Sequence, residues 1–87
     1  MRIISYATWK KSHWGIPMSE GYHLCGDDYC YGLFKSVYPK DAAKVIIDSV
    51  FTKEESEDCE FVYIPHPYKG HNSKQDYIEV WYRKEKK

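Results

Sequence analysis

The sequence predicts a single α+β domain over residues 1–87, with an antiparallel sheet of about five strands in the order βββαββ and one helix packed on one face. Two observations support this class. Several short runs alternate apolar with polar residues, which is the period of a half-buried strand, whereas residues 39–51 repeat their apolar side chains at helical spacing. A chain of 87 residues also suffices for only one core.

Strands are predicted on both sides of that helix. The five runs are residues 3–9, 22–25, 29–37, 60–64 and 76–83. The triplet Gly26-Asp27-Asp28 separates the second run from the third. Because Gly and Asp favour tight turns, these two strands are expected to form a hairpin. The last two strands pair best as a second hairpin, which completes the order βββαββ.

Two connections differ from ordinary short turns. Residues 10–21 contain Trp14, Ile16 and Met18, which are too apolar for a fully solvated loop, so we expect this segment to lie back over the core. Residues 66–75 join the last two strands and are long for a hairpin loop. Long loops in small domains are often binding elements, and this one is a candidate contact region.

The helix is predicted over residues 39–51. Pro39 suits the first turn, because its φ is fixed and its missing amide hydrogen has no partner there in any case. The apolar stripe consists of Ala43, Ile46, Ile47, Val50 and Phe51. Thr52 and Glu55 have the spacing of a capping box and permit a further helical turn. We nevertheless expect the acidic residues around them to form the loop into the next strand.

The charge balance, the cysteine content and the length of the apolar runs argue against several classes of function. Thirteen basic residues balance thirteen acidic ones, which argues against nucleic-acid binding driven by overall charge, since that contribution grows with the number of cations. Three cysteines and no recognisable leader sequence favour a cytoplasmic chain with reduced thiols. No apolar run approaches the roughly 18 to 20 residues that a membrane-spanning helix needs.

The aromatic content is the clearest functional indication. The chain has nine Tyr, three Trp and three Phe, and in the predicted strands rings alternate with aliphatic residues, so one sheet face is expected to expose rings. Tyr and Trp dominate binding hot spots. The predicted partner-binding residues are Trp9, Tyr31, Tyr68, Tyr77 and Trp81, together with Glu54, Glu55 and Glu57 of the acidic run. The competing expectation is that residues 10–21 simply bury these rings.

Metal binding and catalysis are weaker hypotheses. His23, Cys25 and Cys30 lie close together, but they lack the paired spacing of zinc ligands. The chain has no glycine-rich phosphate loop, nucleophile elbow or metalloprotease helix. His66 and His71 offer a hydrolytic site only if the long loop assembles one. We therefore expect no catalytic residue, no metal and no cofactor.

Together these features favour a non-enzymatic binding protein, of the kind that phages use as small inhibitors, acting on a protein or nucleoprotein target. An excess of Lys, Tyr and Ile over Leu and Ala, typical of A·T-rich coding sequences, is consistent with that origin. The alternative is a nucleic-acid or nucleotide binder that stacks bases on Trp9, Tyr77 and Trp81. Its phosphate contacts would be Lys10, Lys11, Lys69, Lys74 and Arg83. A small Cys/His enzyme comes third, and a homo-oligomer remains open.

Overall fold

The computed structural model describes residues 1–29, 39–66 and 77–85. This part of the chain contains four strands, three α-helices and one 3₁₀ helix, so the α+β class is confirmed. The strands are β1 (Arg2–Ser5), β2 (His23–Tyr29), β3 (Cys59–His66) and β4 (Tyr77–Lys84). The helices are α1 (Tyr6–Trp9), α2 (Pro39–Val50) and α3 (Lys53–Glu57), and the 3₁₀ helix is Pro17–Glu20. No helix among these described residues is long and apolar enough to cross a membrane.

The four described strands form one mixed sheet in the order β1-β3-β4-β2. β2 and β3 both pair antiparallel with β4, so the predicted pairing of the last two strands is confirmed. β1, in contrast, runs parallel to β3. The prediction of about five strands, all antiparallel, is therefore only partly met. Most of the predicted strand at residues 29–37 lies outside the described residues.

The first strand is shorter than predicted because Ser5 ends it and caps a helix. The Ser5 hydroxyl accepts a hydrogen bond from the Thr8 amide at 3.2 Å, which satisfies one of the free amides at the start of α1. Residues 6–9 are consequently helical rather than extended. β1 and β2 lie at opposite edges of the described sheet, so the residues between them cross the sheet instead of forming a hairpin, and β1 runs parallel to its neighbour β3.

The predicted turn at Gly26-Asp27-Asp28 is also wrong, since the triplet lies inside β2. Pairing with β4 continues from Gly26 to Tyr29 and overrides the local preference for a turn. The register shifts between Leu24 and Gly26, which places a bulge at Cys25. Gly26 lies directly beneath α2: a Cβ atom there would lie 2.8 Å from Ile46 Cγ2.

The main core lies between α2 and one face of the sheet. Its buried members are Cys25, Ala42, Ala43, Ile47, Cys59, Phe61, Ile78 and Val80. The predicted helix is confirmed, and its stripe is right at Ala43 and Ile47, which are fully buried. Ile46 and Phe51 pack against the same core with partial burial, whereas Val50 is exposed, so the predicted stripe is wrong at Val50 alone.

The acidic run after α2 forms a helix rather than the expected loop. The Thr52 amide donates to Glu55 Oε1 at 2.9 Å, and the Glu55 amide donates to Thr52 Oγ1 at 3.2 Å, which is a complete capping box. The hydrogen bond from the Thr52 backbone lowers the pKa of Glu55 below its ordinary value. Glu54 and Glu57 lie on the same short helix, α3, with exposed side chains.

Candidate binding groove

The sheet face opposite α2 carries a second, smaller core. It contains Trp9, Tyr22 and Val62, with Ile4, Tyr6 and Trp81 packed against it. Trp9 is only 1% exposed, so its predicted position on an exposed aromatic face is wrong. α1 directs the indole into this cluster, where His13 stacks on it with ring centroids 4.1 Å apart. For Trp9 the competing expectation, burial beneath residues 10–21, is confirmed.

A chain of polar contacts holds the segment of residues 10–21 on this face. Trp9 Nε1 donates to Tyr22 Oη at 3.2 Å, and Tyr22 Oη donates to Glu60 Oε1 at 2.9 Å. Arg83 Nη2 donates to the same Glu60 oxygen at 2.8 Å, and Arg83 Nη1 donates to the Glu20 carbonyl oxygen at 3.1 Å. The Arg83 guanidinium also lies 4.4 Å from the centre of the Tyr22 ring. The 3₁₀ helix is therefore fastened to β3 and β4 at one end.

Burial and hydrogen bonding oppose each other at Glu60. Burial alone raises the pKa of this carboxyl, but the hydrogen bonds from Arg83 and Tyr22 outweigh it and hold the pKa below its ordinary value. Burial raises the pKa of Tyr22. The phenol therefore remains a hydrogen-bond donor and Glu60 an acceptor, as the contact chain requires.

An open groove of about 270 Å³ occupies the rest of this face, and we call it the apolar groove. One wall is formed by the 3₁₀ helix and the residue before it, the floor by the two central strands, and the far wall by α1. The apolar lining residues are Ile16, Pro17, Met18, Ile64, Trp81 and Tyr6. Met18 is 61% exposed and Ile16 is 48% exposed, so the wall that the 3₁₀ helix provides is unusually apolar for a surface.

Trp81 forms part of the groove floor. The alternation along β4 buries Ile78 and Val80 under α2 and places Trp81 on the opposite face, which confirms the predicted placement. The ring is partly rather than fully exposed, because it also packs against the Trp9 cluster. Its indole Nε1 is buried and has no hydrogen-bond partner among the described residues. Whether Trp81 contacts a partner stays a prediction.

The groove has a polar end. His66 Nε2 lies 2.6 Å from Glu79 Oε1, and both residues line the groove. Asp27 of β2 is the register partner of Glu79 across the strand pair, so their carboxylates lie on the same face. Tyr77 Oη donates a hydrogen bond to Asp27 Oδ2. Two carboxylates therefore lie side by side next to an apolar floor.

The predicted site residues do not form one cluster. Trp81 lines the groove and Tyr77 borders its polar end, whereas Trp9 is buried beneath it. Tyr31 and Tyr68 lie outside the described residues. None of Glu54, Glu55 and Glu57 lines the groove, and Glu55 instead caps α3.

Sequence reasoning missed most of the groove itself. The apolar side chains of residues 10–21 were a usable indication of the wall at Ile16 and Met18. The carboxylate pair was not accessible, because Asp27 was assigned to a turn and its pairing with Glu79 depends on the sheet register.

The two described thiols, Cys25 and Cys59, show no sign of activation. Burial, with a smaller contribution from the nearby Cys59, raises the pKa of Cys25 to about 11. Burial also raises the pKa of Cys59. Thiols of this kind are protonated near neutral pH and are poor nucleophiles. No three metal-binding side chains gather in the part of the chain that the structure describes, and Cys30 and His71 fall outside that part.

Comparison with known proteins adds no relative. No family model matches the chain, and neither a curated protein nor a solved structure shows significant similarity to it.

Proposed function

We propose that this chain is a non-enzymatic binding protein that recognises a protein target with the apolar groove. One observation carries the proposal: Met18 of the 3₁₀ helix and Ile16 just before it are apolar side chains that stay exposed to solvent at the wall of the groove. Burying apolar surface is the main favourable contribution to protein association, about 25 cal/mol per Å² of apolar area. A domain of this size would act by occupying the target's surface, which is how small inhibitors act.

The side chains around the groove fit that role. Met18 is unbranched and polarisable, and methionine adapts well to irregular partner surfaces. Trp14, three residues before the 3₁₀ helix, is 99% exposed, and tryptophan is among the residues most enriched in binding hot spots. Leu24, the register partner of Trp81, is also exposed and extends the apolar surface toward the β2 edge.

The alternatives receive less support from the same contacts. For nucleic-acid binding, Arg83 was a candidate phosphate ligand, but Glu60 and the Glu20 carbonyl already engage it. The two carboxylates at the end of the groove would repel phosphate. For an enzyme, the described cysteines are buried, and burial raises the pKa of both thiols, so they are protonated near neutral pH even though Cys59 borders a pocket that Glu55 and Asp58 also line.

The proposal is tested with a matched pair of surface variants. Met18→Glu places a charge on the groove wall, whereas Val45→Glu places one on the exposed side of α2, where Val45 is 66% exposed. Both variants should fold like the parent, since substitutions at exposed positions usually change stability by less than about 0.5 kcal/mol. Immobilised parent, M18E and V45E are then used to capture proteins from a bacterial lysate with and without nuclease.

The expected result is a protein band that survives nuclease, is retained by V45E and is lost with M18E. A band that disappears with nuclease, or equal capture by M18E and V45E, would contradict the proposed function.

A further inference from the structure

We infer that the apolar groove accepts a partner segment in which a large apolar side chain lies next to a lysine or arginine. The apolar side chain enters between Met18 and Trp81, and the cation meets the carboxylates of Asp27 and Glu79. This inference rests on the proposed function and specifies the chemistry of the target.

The sheet register places the apolar floor of the groove next to the two carboxylates. Ile64 and Glu79 are register partners, and so are Glu79 and Asp27, so the row across β3, β4 and β2 changes from apolar to acidic within two strand spacings. Neighbouring strands lie about 4.8 Å apart. When a partner side chain contacts Ile64 or Trp81, the next residue of the same partner segment is therefore close enough to contact the two carboxylates.

Both carboxylates are held in place and retain binding capacity. Asp27 accepts a hydrogen bond from Tyr77 Oη, and Glu79 Oε1 contacts His66 Nε2 at 2.6 Å. A carboxylate has two oxygens and about four lone-pair positions, so each can accept further hydrogen bonds from an ammonium or guanidinium group. Oriented acceptors of this kind bind a cation without first having to be ordered.

The described lysine and arginine side chains of this face lie away from the acidic end, where the one described group that can carry a positive charge is His66, when it is protonated. Lys10 Nζ is 2.9 Å from Tyr6 Oη, on the α1 side of the groove. Arg83 is engaged by Glu60, and it is four residues from Glu79 along β4, which is about 13 Å at the rise of a strand. The acidic end therefore lacks a lysine or arginine among the described residues, and a partner's cation complements it.

The inference is tested with a random twelve-residue peptide display library selected on the immobilised full chain. Selected peptides should combine a large apolar residue with a neighbouring Lys or Arg. One such synthetic peptide is then titrated against the parent, against the double variant Asp27→Asn/Glu79→Gln, and against Glu54→Gln as a charge control on α3. At low ionic strength the double variant should bind at least about fivefold more weakly, the combined size of two exposed charge pairs, while E54Q matches the parent.

A second measurement changes the peptide, so its first step, binding to the parent, does not depend on the folding of any variant. The basic residue of the peptide is replaced by norleucine or glutamine, which should weaken binding to the parent by a similar factor and leave binding to the double variant nearly unchanged. That pattern is the coupling expected of two groups in direct contact. The loss should also shrink as salt is added, because exposed charges are screened.

Other outcomes overturn the inference in distinguishable ways. Peptides that need Met18 but carry no basic residue, or that bind the double variant equally well, leave the proposed function standing and refute the cation site. Peptides that bind M18E as well as the parent refute both. If only a chain with residues 67–76 replaced by a Gly/Ser linker binds peptide, the occupant is this chain's own segment. If the parent self-associates and M18E does not, the occupant is a second copy.

Discussion

The two faces of the sheet are covered in different ways. On one face α2 runs for twelve residues across the strands and leaves Phe61, Ile78 and Val80 with no exposed surface. On the other face the cover consists of α1 and a 3₁₀ helix of four residues each, and the apolar groove remains open beside them. The comparison teaches that a short cover held by polar contacts closes part of a sheet face and leaves a groove beside it, whereas a long amphipathic helix buries the centre of its own face.

The largest effect is expected on the α2 face. Ile47 is fully buried between the helix and the sheet, so Ile47→Ala should lower the free energy of unfolding by about 2 to 5 kcal/mol. Val45→Ala, on the exposed side of the same helix, serves as the control and should change it by less than about 0.5 kcal/mol. Denaturant midpoints measure both. Similar small losses for the two variants would mean that α2 does not close this face.

Substitution of Trp81 tests how much this ring contributes to packing on the groove face and how much to partner binding. The sequence alone predicts that Trp81→Ala has little effect on stability, but the ring packs against the Trp9 cluster. We now expect a loss of about 2 kcal/mol in unfolding free energy, together with weaker partner binding by at least about 2 kcal/mol, the usual threshold for a hot spot. Val45→Ala, which removes an exposed apolar side chain from α2, is the control and should leave binding unchanged. Unchanged binding by a folded W81A protein would remove the groove floor from the contact surface.

Gly26 tests how closely α2 approaches the sheet. A Cβ atom at this position would lie 2.8 Å from Ile46 Cγ2, and the branched side chain has little freedom to move away. Gly26→Ala should therefore cost about 1 to 3 kcal/mol through overpacking. In an Ile46→Ala background the cost should fall, because the colliding methyl group is gone. Equal costs in both backgrounds would place the helix farther from β2.

Glu60 gives the groove face a pH dependence of its own. Its pKa is lowered in the folded protein, so the stabilisation is present above the unfolded-state pKa of about 4.3 and is lost as the pH falls below that value. Because Glu60 is partly exposed, Glu60→Gln should cost only about 1 kcal/mol at pH 7. The difference between parent and E60Q should shrink as the pH is lowered from 6 toward 3. A constant difference across that range would show that the Arg83 and Tyr22 contacts do not depend on the charge.

Sequence patterns correctly predicted the features that follow from the residue spacing within a single helix or strand. The helical spacing of Ala43 and Ile47 located α2, and the alternation along β4 correctly separated Ile78 and Val80 from Trp81. They failed where the local structure depends on pairing with a strand that is distant in the sequence, or on one capping side chain. Asp27 has the local preference of a turn residue, yet pairing with β4 holds it in a strand, and Ser5 stops β1 by capping α1.

The same distinction explains the candidate site. The apolar character of Ile16 and Met18 was visible in the sequence, and so was the abundance of rings. Their arrangement was not visible, because the 3₁₀ helix is held on the sheet by contacts of Tyr22 and Arg83 with residues that are distant in the sequence. The pairing of Asp27 with Glu79 requires the sheet register, which no local pattern contains.

The central claim is that partners bind the groove face and leave the α2 face untouched. A titration followed by NMR tests it directly, with the selected peptide added to isotope-labelled protein while the Met18 methyl, the Trp81 indole N–H and the Val45 and Ile47 methyls are observed. We predict that the Met18 and Trp81 resonances shift in proportion to occupancy while those of Val45 and Ile47 stay in place. Shifts concentrated at Val45, with Met18 and Trp81 unchanged, would contradict the account.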